Sequence, residues 1–532
     1  MSVWRILNTP IQFGAKKMSQ PSHPDPLLVA DKSQNRAGSF FQALPRLQLV
    51  PFNKIRSKGN NHVSHKLNKR RYDGALINRL TADWVTSSTS ADSELLSSLR
   101  NLRNRSRDLV RNNDYARGAI RTIVNNVVGK GISLQSQVKK RRNGLIDETT
   151  NANIESLWTT WNNQKYCHTG GKLCFADIER LILRSIVESG EVLIRFVTKA
   201  FDGSPVPLAL EIIEADQLAD DYSNSCIQAG HEIRMGIELD EWKRPVAYWL
   251  HRHHPGDYQF SSRSSDDRLI RVPAEEILHL YVCDRPGQTR GIPWLHSAIS
   301  RLRHVGGYEE AELVAARAQA AVMGFIESPE PASTFSDEPY NSSIKSLEPG
   351  GIETLAPGEK FVGFAPTRPG SGFDPFIKLM LRGVSTGLGL SYEALSRDLS
   401  QVNYSSARIG MLEDRDYWRI LQGWLIRNFH QPLFERWLDL AVLSGALNLP
   451  SYELSPKMYT SPRWIARGWT WVDPAREIDA SVNAIRCGLS TLTSELGEAG
   501  LDIEDVLAER RRELDYAASL NLVLDTDPLR KA

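Results

Sequence analysis

Two helical patterns held apart by a long turn-rich stretch constrain this chain more than any other feature in it. The first starts at Pro293, a residue suited to a first helical position because the N–H it lacks is one a helix leaves unpaired there. Ala311, Ala315, Ala316, Ala318, Ala320 and Ala321 then favour helix at almost every turn. Arg301, Arg303, Glu309, Glu310, Glu312 and Arg317 make the segment too polar for a buried core helix. The second pattern starts at Asp374-Pro375, a capping side chain followed by proline, and carries Phe376, Leu379, Met380 and Val384 at helical spacing. Gly387 and Gly389 end it, since glycine tolerates the left-handed conformation at a helix end. Between the two, Glu327 to Pro369 is dense in Pro, Gly and Ser, with strand-like runs at Gly324-Phe325-Ile326 and from Lys360 to Phe364. That reads as a small β-containing module between two returning helices. The small residues of the first helix permit close helix approach. A packed ring or bundle and a surface helix on a monomer both satisfy the pattern.

The rest of the chain alternates helix and strand. After Gly389, Ser391 to Asn403 reads as a polar loop, and an amphipathic helix runs from Tyr404 toward Gly445, broken near Pro432. Ile409, Leu412, Ile420, Leu421, Trp424 and Leu425 are expected on its apolar face. Upstream, a helix over 92–110 places Leu95, Leu96, Leu99 and Leu102 on one side; Asp114 is the expected cap of the next, which Gly129 and Gly131 terminate. Helices are expected over 153–161 and 175–189, and strands over 191–197, 208–213, 245–250, 269–272 and 277–281. Antiparallel hairpins with flanking helices make an α+β fold. At the C-terminal end, Asp473-Pro474 starts a helix, Gly488 is its stop, and Asp502 caps a last helix bearing Ile503, Val506 and Leu507.

Length and composition bound the function. A chain of 532 residues holds several domains with real cores, and 41% hydrophobic with 24% charged residues is ordinary for a globular protein. Sixty-five basic against 63 acidic residues leave a net charge of only +2, whereas a tight duplex binder carries a basic excess. Near-neutrality suits DNA that must slide past, because every neutralised phosphate adds grip; it suits a protein that meets no DNA equally well. Met1 to about Lys69 is polar and basic, with Asp25 and Asp31 its only acids, and reads as a disordered arm, with order expected from about Tyr72. Its acid-free first 17 residues leave a mitochondrial presequence as an alternative. No apolar run is long enough to span a bilayer, so no membrane contact is expected. Five scattered cysteines suggest a reduced history and no disulfide framework.

Chemistry is thin. There is no Gly-x-x-x-x-Gly-Lys-Ser/Thr loop and no Gly-x-Ser-x-Gly elbow. His251, His253 and His254 form the best metal-like cluster, with His251 and His253 on one face of a strand, and they lack a paired ligand motif. Glu211, Glu214 and Asp216 suggest a carboxylate site or simply acids around a strand end. No enzyme activity, metal or cofactor is expected. A metal-dependent hydrolase using the three histidines, and a monomeric DNA-binding protein led by the basic arm, are the rival readings.

The ordered set of motifs resembles the lambda-like family of tailed-phage portal proteins. It comprises Arg111-Asn112-Asn113 with 116–131; Ser189-Gly190-Glu191; Arg244 to Tyr248; and Ile277-Leu278-His279 leading to Arg285-Pro286-Gly287-Gln288. The 389–408 block and Trp471-Val472-Asp473-Pro474 follow. The resemblance implies a ring, commonly a dodecamer, at one capsid vertex. It divides the chain into an arm (1–70), an α+β wing (71–290), a first stem helix (291–325), a clip (326–370) and a second stem helix (371–390). A tunnel loop (391–404), wing or channel helices (405–450) and a helical crown (451–532) complete it. Arg397, Ser400, Gln401, Asn403 and Tyr404 are the implied channel residues, and Glu348, Glu353 and Lys360 the implied docking residues of the clip. The implied partners are other copies of the chain, the terminase large subunit, the major capsid or scaffold protein, head-completion and tail proteins, and double-stranded DNA. The implied location is the virion, after assembly in the host cytoplasm.

Overall fold

The computed structural model describes residues 79, 82–140, 146–228, 230–257, 269–321, 324–327, 360–363, 372–400, 402–469 and 474–524. The chain forms two compact units, Met1–Val85 and Thr86–Ala532. Of the first, the described residues include a turn over 82–84, with Trp84 exposed. The basic arm and its expected boundary at Tyr72 lie outside the described residues.

The second unit is α+β, as the sequence patterns imply. Helix α1 (Ala91–Asn112) is capped by Ser90, whose Oγ accepts from Ser93 N at 3.2 Å. Leu95 and Leu99 are buried, while Leu96 is exposed. Helix α2 (Asp114–Val127) takes its cap from Asn113, not the expected Asp114: Asn113 has the extended backbone a cap needs, and its Oδ1 accepts from Ala116 N at 3.0 Å. The chain continues through strand β1 (Ser133–Gln135), α3 (Glu148–Trp161), α4 (Gln164–Cys167) and α5 (Phe175–Ser189).

Strand β2 (Glu191–Val197) follows α5 directly and pairs antiparallel with both β3 (Ala209–Ile213) and β9 (Ile277–Tyr281). Beside this sheet stands an antiparallel meander of β4 (Asn224–Gln228), β5 (His231–Arg234), β6 (Ile237–Leu239), β7 (Pro245–Leu250) and β8 (Ile270–Pro273). The expected strands are present; β4 to β6 are additional. They are short, and no long apolar alternation marks them.

Pro293 does not open an α-helix. It precedes a 3-10 turn (Trp294–Ser297), and α6 begins only at Ile299 and runs to Ala321. The strand pair β10 (Gly324–Glu327) and β11 (Lys360–Gly363) is antiparallel, as expected, and leads to α7 (Phe373–Leu388). Asp374 does not cap α7: Gly372 holds that position, and Asp374 sits in the first turn, 2.8 Å from Lys378 Nζ. Helices α6 and α7 run antiparallel, with Tyr308 against Phe373 and Phe376 at one end and Ser297 against Gly387 at the other. A Cβ at Gly383 would collide with the Arg301 guanidinium, so it is the glycines of α7 that permit the close approach.

Next come α8 (Tyr392–Ser396), α9 (Tyr404–Leu425), a π turn (Ile426–His430) and α10 (Gln431–Leu443). The break expected near Pro432 is this π turn. Proline lacks an N–H and crowds the carbonyl four residues back, and the widened turn absorbs both problems without ending the helix. It also turns His430 into the core, where Nε2 lies 2.5 Å from Glu179 Oε1 and Nδ1 lies 3.3 Å from Leu425 O. Phe175, Phe429 and Trp464 pack against its ring, and Trp158, Trp161, Phe434 and Trp437 continue the aromatic cluster. Truncating such a buried aromatic to alanine costs roughly 3–5 kcal/mol.

Strand β12 (Arg463–Ile465) pairs with β1, tying the C-terminal part to the start of the unit. Helices α11 (Pro474–Arg486), α12 (Leu492–Glu498) and α13 (Ile503–Ser519) complete the chain. Gly488 is left-handed (φ 74°) and Asp502 caps α13, both as expected; Asp473 lies outside the described residues.

Candidate functional site

The segment between α7 and α9 is less of a loop than its polarity implies. Gly389 takes the left-handed conformation (φ 66°) that ends α7, and Leu390 is buried. Ser391 then caps α8 and is itself clamped: its N–H and Oγ donate to Asp414 at 2.9 and 2.6 Å. Burial pushes the Asp414 carboxyl up, against the pull of those two donors. A second left-handed residue, Arg397 (φ 61°), ends α8. The tip that follows is held by Asp398, which accepts from Ser400 N (3.0 Å) and Oγ (2.6 Å). Tyr392 OH also donates to Asp398 at 3.3 Å, and Lys378 lies 3.7 Å away. The hydrogen bonds from Ser400 hold the Asp398 carboxyl below its usual range.

The expected channel residues occupy different environments. Arg397 is exposed and donates to Thr122 Oγ1 at 3.3 Å, so its guanidinium is tethered to α2. Ser400 is exposed but bonded to Asp398, and Asn403 caps α9 by accepting from Ser406 N at 2.8 Å. Gln401 and the Tyr404 side chain lie outside the described residues. Sequence reasoning passed over Leu399, which is 66% exposed at the tip, and the anchor Asp414. Of the clip residues, Glu348 and Glu353 lie outside the described residues; Lys360 is exposed and faces Glu327 across the β10–β11 pair.

The apolar face expected on α9 divides in two. Leu421 and Leu425 are buried with Trp418, but Ile409, Leu412 and Ile420 are exposed, with Ile420 at 66%. Leu313 and Val314 on α6 and Phe376 and Leu379 on α7 are likewise exposed.

The most concentrated electrostatics lie elsewhere, around Glu191. This fully buried carboxylate accepts from Arg290 Nε (2.9 Å) and Nη2 (2.5 Å), Arg103 Nη2 (2.9 Å), His279 Nε2 (3.0 Å) and Gly291 N (2.8 Å). Burial alone would push it up; Arg290 first, then His279 and Arg103, hold it well below the usual carboxylate range. Gly190 and Gly291 make the crossing possible. A Cβ at Gly190 would lie 2.5 Å from the Ile292 carbonyl carbon, and one at Gly291 would collide with Gly190 O. Ser189-Gly190-Glu191 and Arg290-Gly291 are therefore one structural joint.

His251, His253 and His254 do not converge. His254 instead faces Glu214 (3.3 Å) and Asp216 (3.8 Å), the one group with metal-ligand proximity among the described residues. Its Nδ1 accepts from Gly256 N at 3.0 Å, which leaves Nε2 toward the acids. Asp216 is moreover bonded to Arg103 at 2.8 Å and to Arg107. The geometry is that of an ion-pair network.

A family model described as phage portal protein, lambda family, matches residues 78–422. A probable portal protein of Halomonas phage phiHAP-1 is 31% identical over 453 residues, covering 82% of this chain and 85% of that protein. The chain belongs to the lambda family of phage portal proteins. Portal protein B of Escherichia phage lambda is 22% identical over 469 residues, covering 81% of this chain and 86% of its own length. Among solved structures, a chain in the neck of an empty GTA particle, computed with C6 symmetry, aligns with a TM-score of 0.40 and 14% identity. That alignment covers 76% of this chain and 94% of that one. The motifs that carried the resemblance to portal proteins thus coincide with joints of the fold: the Glu191 crossing, the Asn113 cap, and the Ser391–Asp414 clamp.

Proposed function

We propose that this portal protein is the subunit of a ring at one capsid vertex, and that the ring is the channel through which double-stranded DNA is packaged and ejected. Family membership supports this, and one structural observation carries the assembly: aliphatic and aromatic side chains stand exposed along three helices, Leu313 and Val314 on α6, Phe376 and Leu379 on α7, and Ile409, Leu412 and Ile420 on α9. A closed ring of head-to-tail contacts would cover such rows, each against a different surface of the next subunit. Burying each exposed aliphatic side chain contributes roughly 1–2 kcal/mol, which sums to a stable interface only when many are covered at once.

In this reading the antiparallel pair α6 and α7 is the stem, and the β10–β11 pair with the segment between belongs to the clip. The terminase large subunit docks at the clip during packaging, and head-completion and tail proteins dock there afterwards, with Glu348, Glu353 and Lys360 as contacts. The α+β body is the wing, which meets the capsid shell or scaffold, and the helices after about Pro450 form the crown. Arg397 to Tyr404 narrow the channel. Arg397 supplies a tethered positive charge and Ser400, Gln401 and Asn403 polar contacts to phosphates, while exposed Leu399 limits adhesion. Contacts to phosphate carry no sequence information and weaken with salt, which suits a duplex that must slide. The chain performs no bond chemistry; work is supplied by the motor that docks on it. The test is the mass of the purified protein by light scattering, with negative-stain images of the same fraction. A ring with a central hole is expected, with about twelve subunits by resemblance to the family; a protein that stays monomeric even when co-expressed with its shell or scaffold protein overturns the proposal.

A further inference from the structure

The 397–403 tip already holds an anion of its own. Asp398 is half-buried, and three hydrogen-bond donors and an ammonium group converge on its carboxylate. Ser400 N (3.0 Å) and Ser400 Oγ (2.6 Å) donate to Oδ1, and Tyr392 OH donates to Oδ2 at 3.3 Å. Lys378 Nζ, reaching across from α7, lies 3.7 Å from that second oxygen. Two of these groups are fixed from behind. Asp374 holds the Lys378 ammonium at 2.8 Å, and Arg382 stacks 5.5 Å from the centre of the Tyr392 ring. An amide N–H, two hydroxyls and an ammonium around one oxyanion is also a donor set that suits a backbone phosphate. The Ser400 hydroxyl carries a single proton, and Asp398 takes it, so Ser400 has no donor left for a second anion.

We propose that Asp398 is a built-in competitor for DNA phosphates at the tip. Its carboxylate occupies the cradle of Ser400, Tyr392 and Lys378, so a passing phosphate exchanges with it and gains little. The inference rests on the channel reading given above and adds what limits grip there. A phosphate entering an empty cradle would gain charge-assisted hydrogen bonds and release counterions, and each such contact would brake a duplex that must move on. A phosphate entering the occupied cradle only takes over bonds that Asp398 gives up, and it meets a like charge as it does so. Ser400 therefore touches phosphate only while Asp398 has released it. Asp374 keeps Lys378 in place through the exchange.

The test uses rings of the full-length protein, with a linear duplex and a covalently closed circle of the same sequence; a closed circle cannot thread a closed ring. Affinity is measured against salt concentration. Wild-type rings should hold the linear duplex weakly and in preference to the circle. Asp398→Ala should bind the linear duplex about tenfold more tightly, the worth of one charge-assisted hydrogen bond, with no gain on the circle. Its log affinity should also fall more steeply with log salt, by about one unit per phosphate gripped. Adding Lys378→Gln should return the affinity to the wild-type range. Asp398→Asn keeps a carbonyl for Ser400, and with it the shape of the tip, and should shift the affinity in the same direction. Unchanged or weaker binding in both Asp398 variants overturns the proposal. So does a gain that persists in full with Lys378→Gln, and so does an equal gain on the circle, which would put the new grip outside the channel. Wild-type rings that hold linear and circular DNA alike would instead overturn the channel reading, and the proposal with it.

Discussion

Changing Glu191 to glutamine tests whether the joint between α1, β2 and the 285–292 segment is held by charge. The side chain keeps its volume, so the loss is electrostatic. Arg103 and Arg290 are both fully buried, and among the described residues Arg290 pairs with no other carboxylate: its remaining partners are the carbonyls of Met235 (2.9 Å) and Ala215 (3.3 Å). Either orientation of the new amide sets its NH2 against donors. On one side stand Arg103 and Arg290 Nη2; on the other stand His279, Arg290 Nε and Gly291 N. Removing one partner of a buried pair costs about 3–5 kcal/mol, and that is the loss expected for Glu191→Gln. Urea unfolding followed by tryptophan fluorescence, at matched protein concentration near neutral pH, measures it. The pH dependence has a definite sign. The folded value of Glu191 lies below its ordinary 4.5, so its contribution is fully present above that value and is lost only as the pH falls through the folded one. The gap between wild type and variant should therefore stay constant from mildly acidic to neutral pH and narrow only in strong acid. A loss under about 1 kcal/mol near neutrality would refute the reasoning, because the arginines would then be compensated by something other than Glu191.

Gly291→Ala should destabilise by about 1–3 kcal/mol in the same assay, because its methyl group meets the Gly190 carbonyl and backbone has little room to yield. Glu155, whose carboxyl on α3 is pushed up by burial, should make the protein less stable as pH rises. Its folded value of about 7 exceeds the ordinary 4.5, so stability present below 4.5 is lost on the way up to about 7, and Glu155→Gln should flatten that slope in thermal unfolding. Ile420→Asp, at a site 66% exposed, should leave the circular dichroism of the subunit unchanged while cutting the fraction assembled into rings on size-exclusion chromatography. Arg397→Ala should leave rings intact, since its one hydrogen bond among the described residues is a 3.3 Å bond to Thr122. It should change the salt dependence of DNA passage, read as nuclease-protected DNA in packaging reactions.

Local rules were readable from the chain wherever one residue type does one job. Glycine at a helix end located the ends of α2, α7 and α11, and the 175–189 helix and the 191–197 strand fall where the patterns put them. Misplacements came from competition between neighbours. Asn113 and Asp114 are both capping residues, and only backbone conformation decides between them. Pro293 looks like a helix start but serves a 3-10 turn, and Ile409 and Ile420 look like core yet stand in solvent. That last reversal has a physical meaning: periodicity reports that a face is apolar, not which chain covers it. The Glu191 joint was invisible because its partners lie 88 to 100 residues from Glu191, and its glycines signal close approach without naming the partner. The three histidines carried only a rival reading, through strand alternation at His251 and His253, and β7 ends at Leu250, before alternation reaches them. In the α7–α9 segment, polarity revealed a surface but not the Asp414 clamp, whose two halves are 23 residues apart.

An electron cryomicroscopy reconstruction of the purified assembly tests the central claim most directly. The account predicts a closed ring whose narrowest point is formed by the 397–403 tip, with Leu399 and Arg397 facing the lumen and Ile409 and Ile420 covered by the neighbouring subunit. A ring in which that tip faces outward, or in which the exposed rows of α6, α7 and α9 remain in solvent, would contradict it.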